Sequence, residues 1–237
     1  MKINKYFLLI AFVSVFSFSQ AQSTNHEVGV FLGPTFMQTD YGDATEFSSS
    51  TSNTGFGFAF VYAAGFSEED GFFAQHIKLR ASVSYSKANL EYDGAPIEGV
   101  YGEESRFRTM KGDTKILSIG IAPELYIFNI ADAKLFQPYL LAGISYVAAN
   151  PSMKSTVILP SIYLPTEENV YMENQSLFSL DFGGGFRLQF DNVAIALEAQ
   201  FHKFSSDKVD GLDAEYPGDK YDDTQVNISL GVMFNMD

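Results

Sequence analysis

The sequence has no cysteine and no tryptophan, and it has only three histidines. Without cysteine the chain can form neither a disulfide nor a thiolate metal site, and it can carry neither a catalytic thiol nor the lipid anchor of a lipoprotein. Positive charge is also scarce, because 15 lysines and arginines are outnumbered by 29 aspartates and glutamates. The net charge of −14 argues against nucleic acid as a partner, since phosphates attract basic surfaces.

Long hydrophobic runs are absent after the first residues. At the start of the chain Lys2 and Lys5 precede an almost uninterrupted apolar segment, 6–18. A helix that spans a bilayer needs about 20 apolar residues, so this segment is short for a membrane anchor. A positive start followed by a short apolar run is typical of a secretory signal peptide, and the alternative of an uncleaved anchor is disfavoured.

The signal peptide has a recognisable end. The triplet Ser19-Gln20-Ala21 places small residues at the spacing that signal peptidase reads. We therefore predict a cleaved signal peptide over residues 1–21 and a single domain over residues 22–237, with cleavage before Gln20 as the alternative. Export across the inner membrane follows from this prediction.

Alternation of apolar and small or polar residues recurs along the rest of the chain, and a strand sorts such a pattern onto two faces whereas a helix does not. The segment 178–190 has Phe178, Leu180, Phe182, Gly184, Phe186, Leu188 and Phe190 on one face and Ser179, Asp181, Gly183, Gly185, Arg187 and Gln189 on the other. The pattern predicts eight strands, at 27–38, 55–65, 75–87, 115–128, 137–149, 177–190, 193–204 and 225–235. They are about twice as long as soluble strands and long enough to cross a bilayer when tilted.

The predicted connections alternate between long and short, the shortest being the two-residue turn Asp191-Asn192. Outer-membrane barrels have long outer loops and short periplasmic turns, so the alternation fits a periplasmic N-terminus. The predicted fold is all-β: an eight-stranded antiparallel up-and-down transmembrane β-barrel in the outer membrane. Outer-membrane lipid is then its first partner.

The direction of the apolar face distinguishes this barrel from a soluble lipocalin-like one. The opposite face is rich in glycine and serine, which suits a narrow lumen and makes a poor solvated surface. We therefore expect apolar side chains to point outward. Six charged residues, three of each sign, would then share the lumen: Lys78, Arg80, Glu124, Asp181, Arg187 and Glu198. In so small a barrel such charges pair into a plug more often than they line a channel.

Catalytic and metal sites have little support in the sequence. His202 lies on the lumen face with Glu198 and near Ser205 and Ser206, as a barrel hydrolase would require, but Phe204 occupies the next same-face position. We predict no enzyme and no cofactor. Asp210 and Asp213, in the acidic segment 207–223, could donate oxygens to calcium, although the EF-hand spacing is absent and a solvated outer loop is the favoured interpretation.

Short segments of the chain resemble a Bacteroidota family of small outer-membrane barrels. These segments are 26–34, 40–42, 53–57, 136–144, 150–151, 201–202 and 209–212. PorG, a barrel of the type IX secretion apparatus that sits above a periplasmic ring of lipoproteins, has a similar opening strand and Pro-Tyr hairpin. The segment 92–111 and the acidic fourth loop depart from PorG. The resemblance implies a scaffold role and supplies no functional residue.

Three functions therefore remain as hypotheses. The first is a structural scaffold that contacts periplasmic or outer-membrane proteins and is linked to a secretion apparatus. The second is a small passive channel or surface receptor, and the third, least favoured, is a barrel hydrolase. Conductance distinguishes the first from the second, and active-site serine probes detect the third.

Overall fold

The computed structural model describes residues 26–39, 53–66, 71–93, 108–130, 135–157, 174–206, 208–211 and 223–236. Within these residues the chain forms eight strands and one short helix. The elements are β1 (His26–Gln38), β2 (Thr54–Gly65), α1 (Phe72–His76), β3 (Ile77–Asp93), β4 (Arg108–Tyr126), β5 (Phe136–Val157), β6 (Gln175–Phe190), β7 (Val193–Phe204) and β8 (Thr224–Asn235). No helix in the described part of the chain is long and apolar enough to cross a membrane.

The strands form one closed barrel in which each pairs antiparallel with its neighbours in sequence, and β1 completes the ring with β8. This confirms the predicted fold class. The connections after β1, β3, β5 and β7 are long and lie at one end of the barrel, called here the loop end. The start of β1, the end of β8 and the connections after β2, β4 and β6 lie at the opposite end, called the turn end. At the turn end Asp191, with φ of 42°, begins the two-residue hairpin between β6 and β7.

Apolar side chains cover the outside of the barrel, as predicted. On β6, Phe178 is 63% exposed and Phe182 is 50% exposed, whereas Ser179 between them is 1% exposed. This alternation holds around the ring because inward positions must fit a narrow lumen and outward positions meet the hydrocarbon of the bilayer.

Three strands are longer than predicted. β3 continues past its last β2 partner at Ala88, and β5 continues past its last β6 partner at Ala149, both paired with β4. The three strands thus form a loop-end extension of the barrel wall. Apolar alternation stops near Lys87 and Lys115, because no lipid selects an apolar face beyond the membrane. The sequence pattern that predicts a strand therefore ends there, whereas the hydrogen bonding between the strands continues.

The predicted start of the third strand, at residue 75, was wrong. Residues Phe72–His76 form α1, whose last residue stacks its imidazole on the Phe72 ring at 4.9 Å. His76 Nδ1 is also 2.9 Å from the Tyr126 carbonyl oxygen. A short helix therefore replaces the first two residues of the expected strand.

Candidate functional site: the closed lumen

The lumen near the turn end contains a cluster of ion-paired side chains, each on an inward-facing position of its strand. The members are at most 5% exposed, and they supply three positive and three negative charges: Glu27, Lys78, Arg80, Glu124, Arg187 and Glu198. We call this set the lumen charge network. Its formal charges cancel, which buried charges require because desolvation makes an uncompensated charge costly.

Arg187 lies at the centre of the lumen charge network. One guanidinium nitrogen donates to Glu27 at 2.6 Å, and the other donates to the two carboxylate oxygens of Glu124 at 2.8 and 3.0 Å. The rings of Tyr126 and Tyr139 lie 5.4 and 5.1 Å from the guanidinium carbon, within the range of cation–π attraction. A single side chain therefore joins carboxylates from β1 and β4 across the bore.

Arg80 makes the second bridge across the lumen. It donates to both carboxylate oxygens of Glu198, at 2.5 and 3.2 Å, and to Glu124 at 3.2 Å. Its guanidinium lies 4.8 Å from the Phe31 ring centroid. That ring occupies the space where a side chain at Gly231 would otherwise project, so this glycine is needed for the close approach of an aromatic ring.

The remaining members add further polar contacts to the network, although the Nε atoms of its two arginines have no hydrogen-bond partner among the described residues. Lys78 Nζ donates to Glu27 at 2.7 Å. The phenols of Tyr126 and Tyr139 donate to Glu124 and Glu198, at 2.8 and 2.6 Å. Charged groups thus receive hydrogen bonds as well as opposite charges, and the side chains fill the bore at this level.

Five of the six predicted lumen charges belong to this network. The sixth, Asp181, lies nearer the loop end, where its carboxylate contacts His202 Nδ1 at 2.7 Å and accepts from the Ser179 hydroxyl at 2.7 Å and from Ser145. Glu27 takes its place as the third carboxylate. The sequence offered a signal for Glu27, since it has the inward parity of Gly29 on β1.

His202 has no hydrolase geometry. Nε2 of its ring faces the Asn227 side-chain amide at 3.0 Å, and Nδ1 faces Asp181. The Ser205 hydroxyl accepts a hydrogen bond from the Phe178 N–H at 3.2 Å. A catalytic histidine needs a nucleophile beside one nitrogen and a carboxylate beside the other, and here an amide occupies the first position.

At the loop end a second feature closes the lumen. Residues 208–211, called here the loop-end plug, lie within the barrel mouth. Val209 is fully buried against an apolar cluster that includes Met37 and Phe204. The Thr114 hydroxyl donates to the Val209 carbonyl at 2.7 Å. The Asp223 carboxylate accepts the N–H groups of Val209 and of the following residue, at 2.8 and 3.1 Å.

The position of the loop-end plug corrects the expectation of a solvated loop at Asp210, which is 0% exposed. It is buried because the preceding Val209 enters the apolar cluster and Asp223 holds the backbone in place. Asp213 lies outside the described residues. Among the described residues no group of three or more acidic, histidine or cysteine side chains could hold a metal ion.

A cavity of about 50 Å³, lined by both polar and apolar side chains, lies on the loop-end side of the lumen charge network. Its lining includes Arg80 and Glu198 from the lumen charge network, and His202, Asn227 and Ser84 from higher levels. Pockets for small-molecule ligands measure about 300–1,000 Å³, so this cavity is too small for such a ligand. The lumen therefore has two closures in series, the lumen charge network and the loop-end plug, with this small cavity above the first.

Solved structures with similar folds include small outer-membrane barrels from several bacteria. Neisserial surface protein A has 15% identity and a TM-score of 0.46, over 88% of this chain and 96% of that one. Ail of Yersinia pestis has 17% identity and a TM-score of 0.43, over 90% and 100%. A major outer membrane protein of Thermus thermophilus has 14% identity and a TM-score of 0.46, over 89% and 99%.

The family assignment rests on the sequence rather than on these structures. No curated protein matches the chain. A family model, outer membrane protein beta-barrel domain, matches residues 8–234, which is nearly the whole chain. Together with the closed eight-stranded barrel and its apolar exterior, this match places the protein in the outer membrane. The chain belongs to the outer membrane protein beta-barrel domain family.

Proposed function

We propose that this protein is a non-conducting, non-enzymatic scaffold that holds partner proteins at the outer membrane through its outer loops or its periplasmic turns. The closed lumen is the observation that carries the proposal. A channel needs a continuous polar path, and here the lumen charge network and the loop-end plug fill the bore at two levels. With the bore filled, the two ends of the barrel are the surfaces left for function.

The partners we propose are periplasmic or outer-membrane proteins, with components of a secretion apparatus as the first candidates. The resemblance of the opening strand and of the Pro-Tyr hairpin near Pro138 and Tyr139 to PorG of the Bacteroidota supports this choice. The turn end would face the periplasm, because short connections lie on the periplasmic side of outer-membrane barrels. Signal-peptide cleavage after Ala21 is part of the same proposal.

Photo-crosslinking in cells tests the scaffold role directly. A photoreactive residue at Asn192 samples the turn end, and one at Ser206 samples the loop end. Leu180, half exposed on the lipid-facing side of β6, provides the matched control. We expect discrete protein adducts from Asn192 or Ser206 and lipid adducts alone from Leu180. Absence of protein adducts from both ends would contradict the proposal.

Conductance in planar bilayers tests the closed lumen. We expect the purified protein to show no steady ion-selective openings, because paired side chains fill the bore. Steady openings would replace the scaffold with a channel, and Lys78, Arg80 and Arg187 would then be its selectivity residues. Labelling of a serine by an active-site probe would revive the hydrolase hypothesis.

A further inference from the structure

Two lysines face outward at the loop end in an arrangement that ordinarily destabilises a sheet. Lys87 on β3 and Lys115 on β4 are direct partners in the strand register, and both are exposed on the outer surface of the barrel. Like charges on directly opposed residues repel each other across about 5 Å. Asp113, on the same strand as Lys115, contacts Lys87 at 3.4 Å and offsets part of the repulsion.

The lysine pair lies among outward-facing aromatic residues near the loop end, since exposed Phe56 on β2 is the register partner of Lys87. Tyr85 precedes Lys87 by two residues, which is about 7 Å along a strand. Further around the barrel, the Tyr146 ring packs edge-on against Phe178 at 5.7 Å. Aromatic belts mark the boundary between hydrocarbon and headgroups in outer-membrane barrels. The two ammonium groups are therefore at the level of the lipid headgroups.

Further basic residues follow along the same strands. In the loop-end extension the register sets Lys111 opposite Lys154, and Arg108 also lies on β4. Acidic residues lie on the same strands, since the register also sets Glu91 opposite Lys111, so the lysine pair is distinguished by its direct opposition and not by a net positive surface. The whole chain has a net charge of −14, which does not favour anions in general, and a local anion at the lysine pair would offset the repulsion that Asp113 leaves.

We propose that Lys87 and Lys115 bind the phosphate groups of phosphorylated lipid headgroups in the membrane leaflet at the loop end. A lysine ammonium is a compact charge with three hydrogen-bond donors on a flexible side chain. Two neighbouring lysines can therefore donate to the same phosphate group. The loop end faces the outer leaflet, because long loops lie on the outer side of outer-membrane barrels. The barrel thus has a lipid-binding site of its own, separate from the closed lumen.

The binding test uses the full-length mature protein in neutral-detergent micelles, titrated with diphosphorylated lipid A and followed by native mass spectrometry. Each lysine near an anionic lipid surface contributes roughly a factor of five to binding, so Lys87→Gln with Lys115→Gln should weaken it about 25-fold. The matched control, Lys203→Gln with Lys208→Gln, removes the same charge elsewhere at the loop end. Because Lys203 also lies on the outer face of the barrel, this control should weaken binding by no more than about fivefold. Equal binding by both double variants would overturn the proposal.

Two further probes identify what is recognised. Dephosphorylated lipid A should bind far more weakly than the diphosphorylated form, and inorganic phosphate should compete poorly because it lacks the acyl chains that hold the headgroup at this level. Equal binding of the dephosphorylated lipid would overturn a role for phosphate. Strong competition by inorganic phosphate would overturn the assignment to a lipid.

Thermal unfolding provides a separate test, because Lys115→Gln should affect the unfolding midpoint differently in two kinds of micelle. In neutral detergent Lys115→Gln should leave the thermal unfolding midpoint unchanged or raise it, because the variant removes a like-charge pair. In micelles that contain diphosphorylated lipid A the same variant should unfold at a lower temperature than wild type. A lower midpoint in neutral detergent, or no difference in the phosphorylated micelles, would contradict the proposed site.

Discussion

Arg187 offers the most demanding test of the lumen charge network, because it is 1% exposed and contacts two carboxylates. Replacement by methionine keeps much of the apolar stem packed against Tyr126 and Tyr139 while removing the charge. The network would change from balanced to one excess negative charge, with Glu27 and Glu124 each losing a hydrogen-bonded partner. Breaking a buried ion pair by removing one partner costs about 3–5 kcal/mol.

The cost of Arg187→Met should depend on charge balance and not on the lost arginine alone. The double variant Arg187→Met with Glu124→Gln restores a neutral network. It also keeps the pair between Arg80 and Glu198 and an acceptor for the Tyr126 hydroxyl. We therefore expect the double variant to be more stable than Arg187→Met. Coupling of about 0.5–3 kcal/mol is usual for residues that share a network.

Urea-induced unfolding in lipid vesicles, followed by gel mobility without heating, measures these free energies for wild type, both single variants and the double variant. The control is Lys203→Met, which removes a positive charge from the exposed outer face of β7 and should cost less than about 1 kcal/mol. Strictly additive costs for the two network variants would refute the reasoning. So would a cost of Arg187→Met equal to that of the control.

Three other changes test separate parts of the barrel. Phe182→Arg places a charge in hydrocarbon and should cost about 2–4 kcal/mol in the same unfolding assay, whereas Phe182→Leu should be nearly neutral. Gly231→Ala should cost about 1–3 kcal/mol of stability because the new methyl group meets the Phe31 ring. Combining it with Phe31→Leu should recover part of the loss. An unchanged stability of Gly231→Ala would contradict the close approach. Asp223→Ala leaves the buried N–H of Val209 without its acceptor. Limited proteolysis should therefore cleave the loop-end plug faster in this variant than in Asp223→Asn. Equal cleavage rates would contradict the role of the Asp223 carboxylate in holding the plug.

The strands could be predicted because the bilayer and the narrow lumen impose opposite demands on alternate residues. Where both demands act, as on β6 and β7, the predicted bounds differ from the observed ones by no more than two residues. Where the strands leave the membrane, the outward face loses its apolar constraint and the pattern ends before the hydrogen bonding does. The extra length of β3, β4 and β5 was therefore missed for a physical reason.

The pairing inside the lumen was harder to predict, because parity fixes which residues face inward and leaves their height along the bore open. Asp181 and Arg187 share a strand but lie six residues apart, which is about 20 Å, so they cannot belong to one compact network. Glu27 lies near the turn end of β1, at the level of Lys78, and completes the set. Strand position along the axis, and not the count of charges, decides the partners.

The loop-end plug could not be predicted from period-two alternation, because residues 208–211 follow no period. Its burial depends on a tertiary match between Val209 and an apolar cluster that strands from several parts of the chain assemble. The acidic composition of the neighbouring sequence indicated solvent, and only the backbone contacts with Thr114 and Asp223 reverse that inference. Composition describes the segment as a whole, whereas one apolar residue with satisfied backbone groups determines where it lies.

The two closures of the lumen rest on different physics and therefore respond to different perturbations. The lumen charge network depends on charge balance in a buried setting, and the loop-end plug depends on apolar contact plus two backbone hydrogen bonds to Asp223. Because they act in series, release of the plug alone leaves the bore filled by Arg80 and Arg187, and loss of one network charge leaves the plug in place. Asp223→Ala and Arg187→Met should each remain non-conducting. A protein selected as a passive channel would have no reason to close the same path twice, whereas a scaffold gains rigidity from both closures.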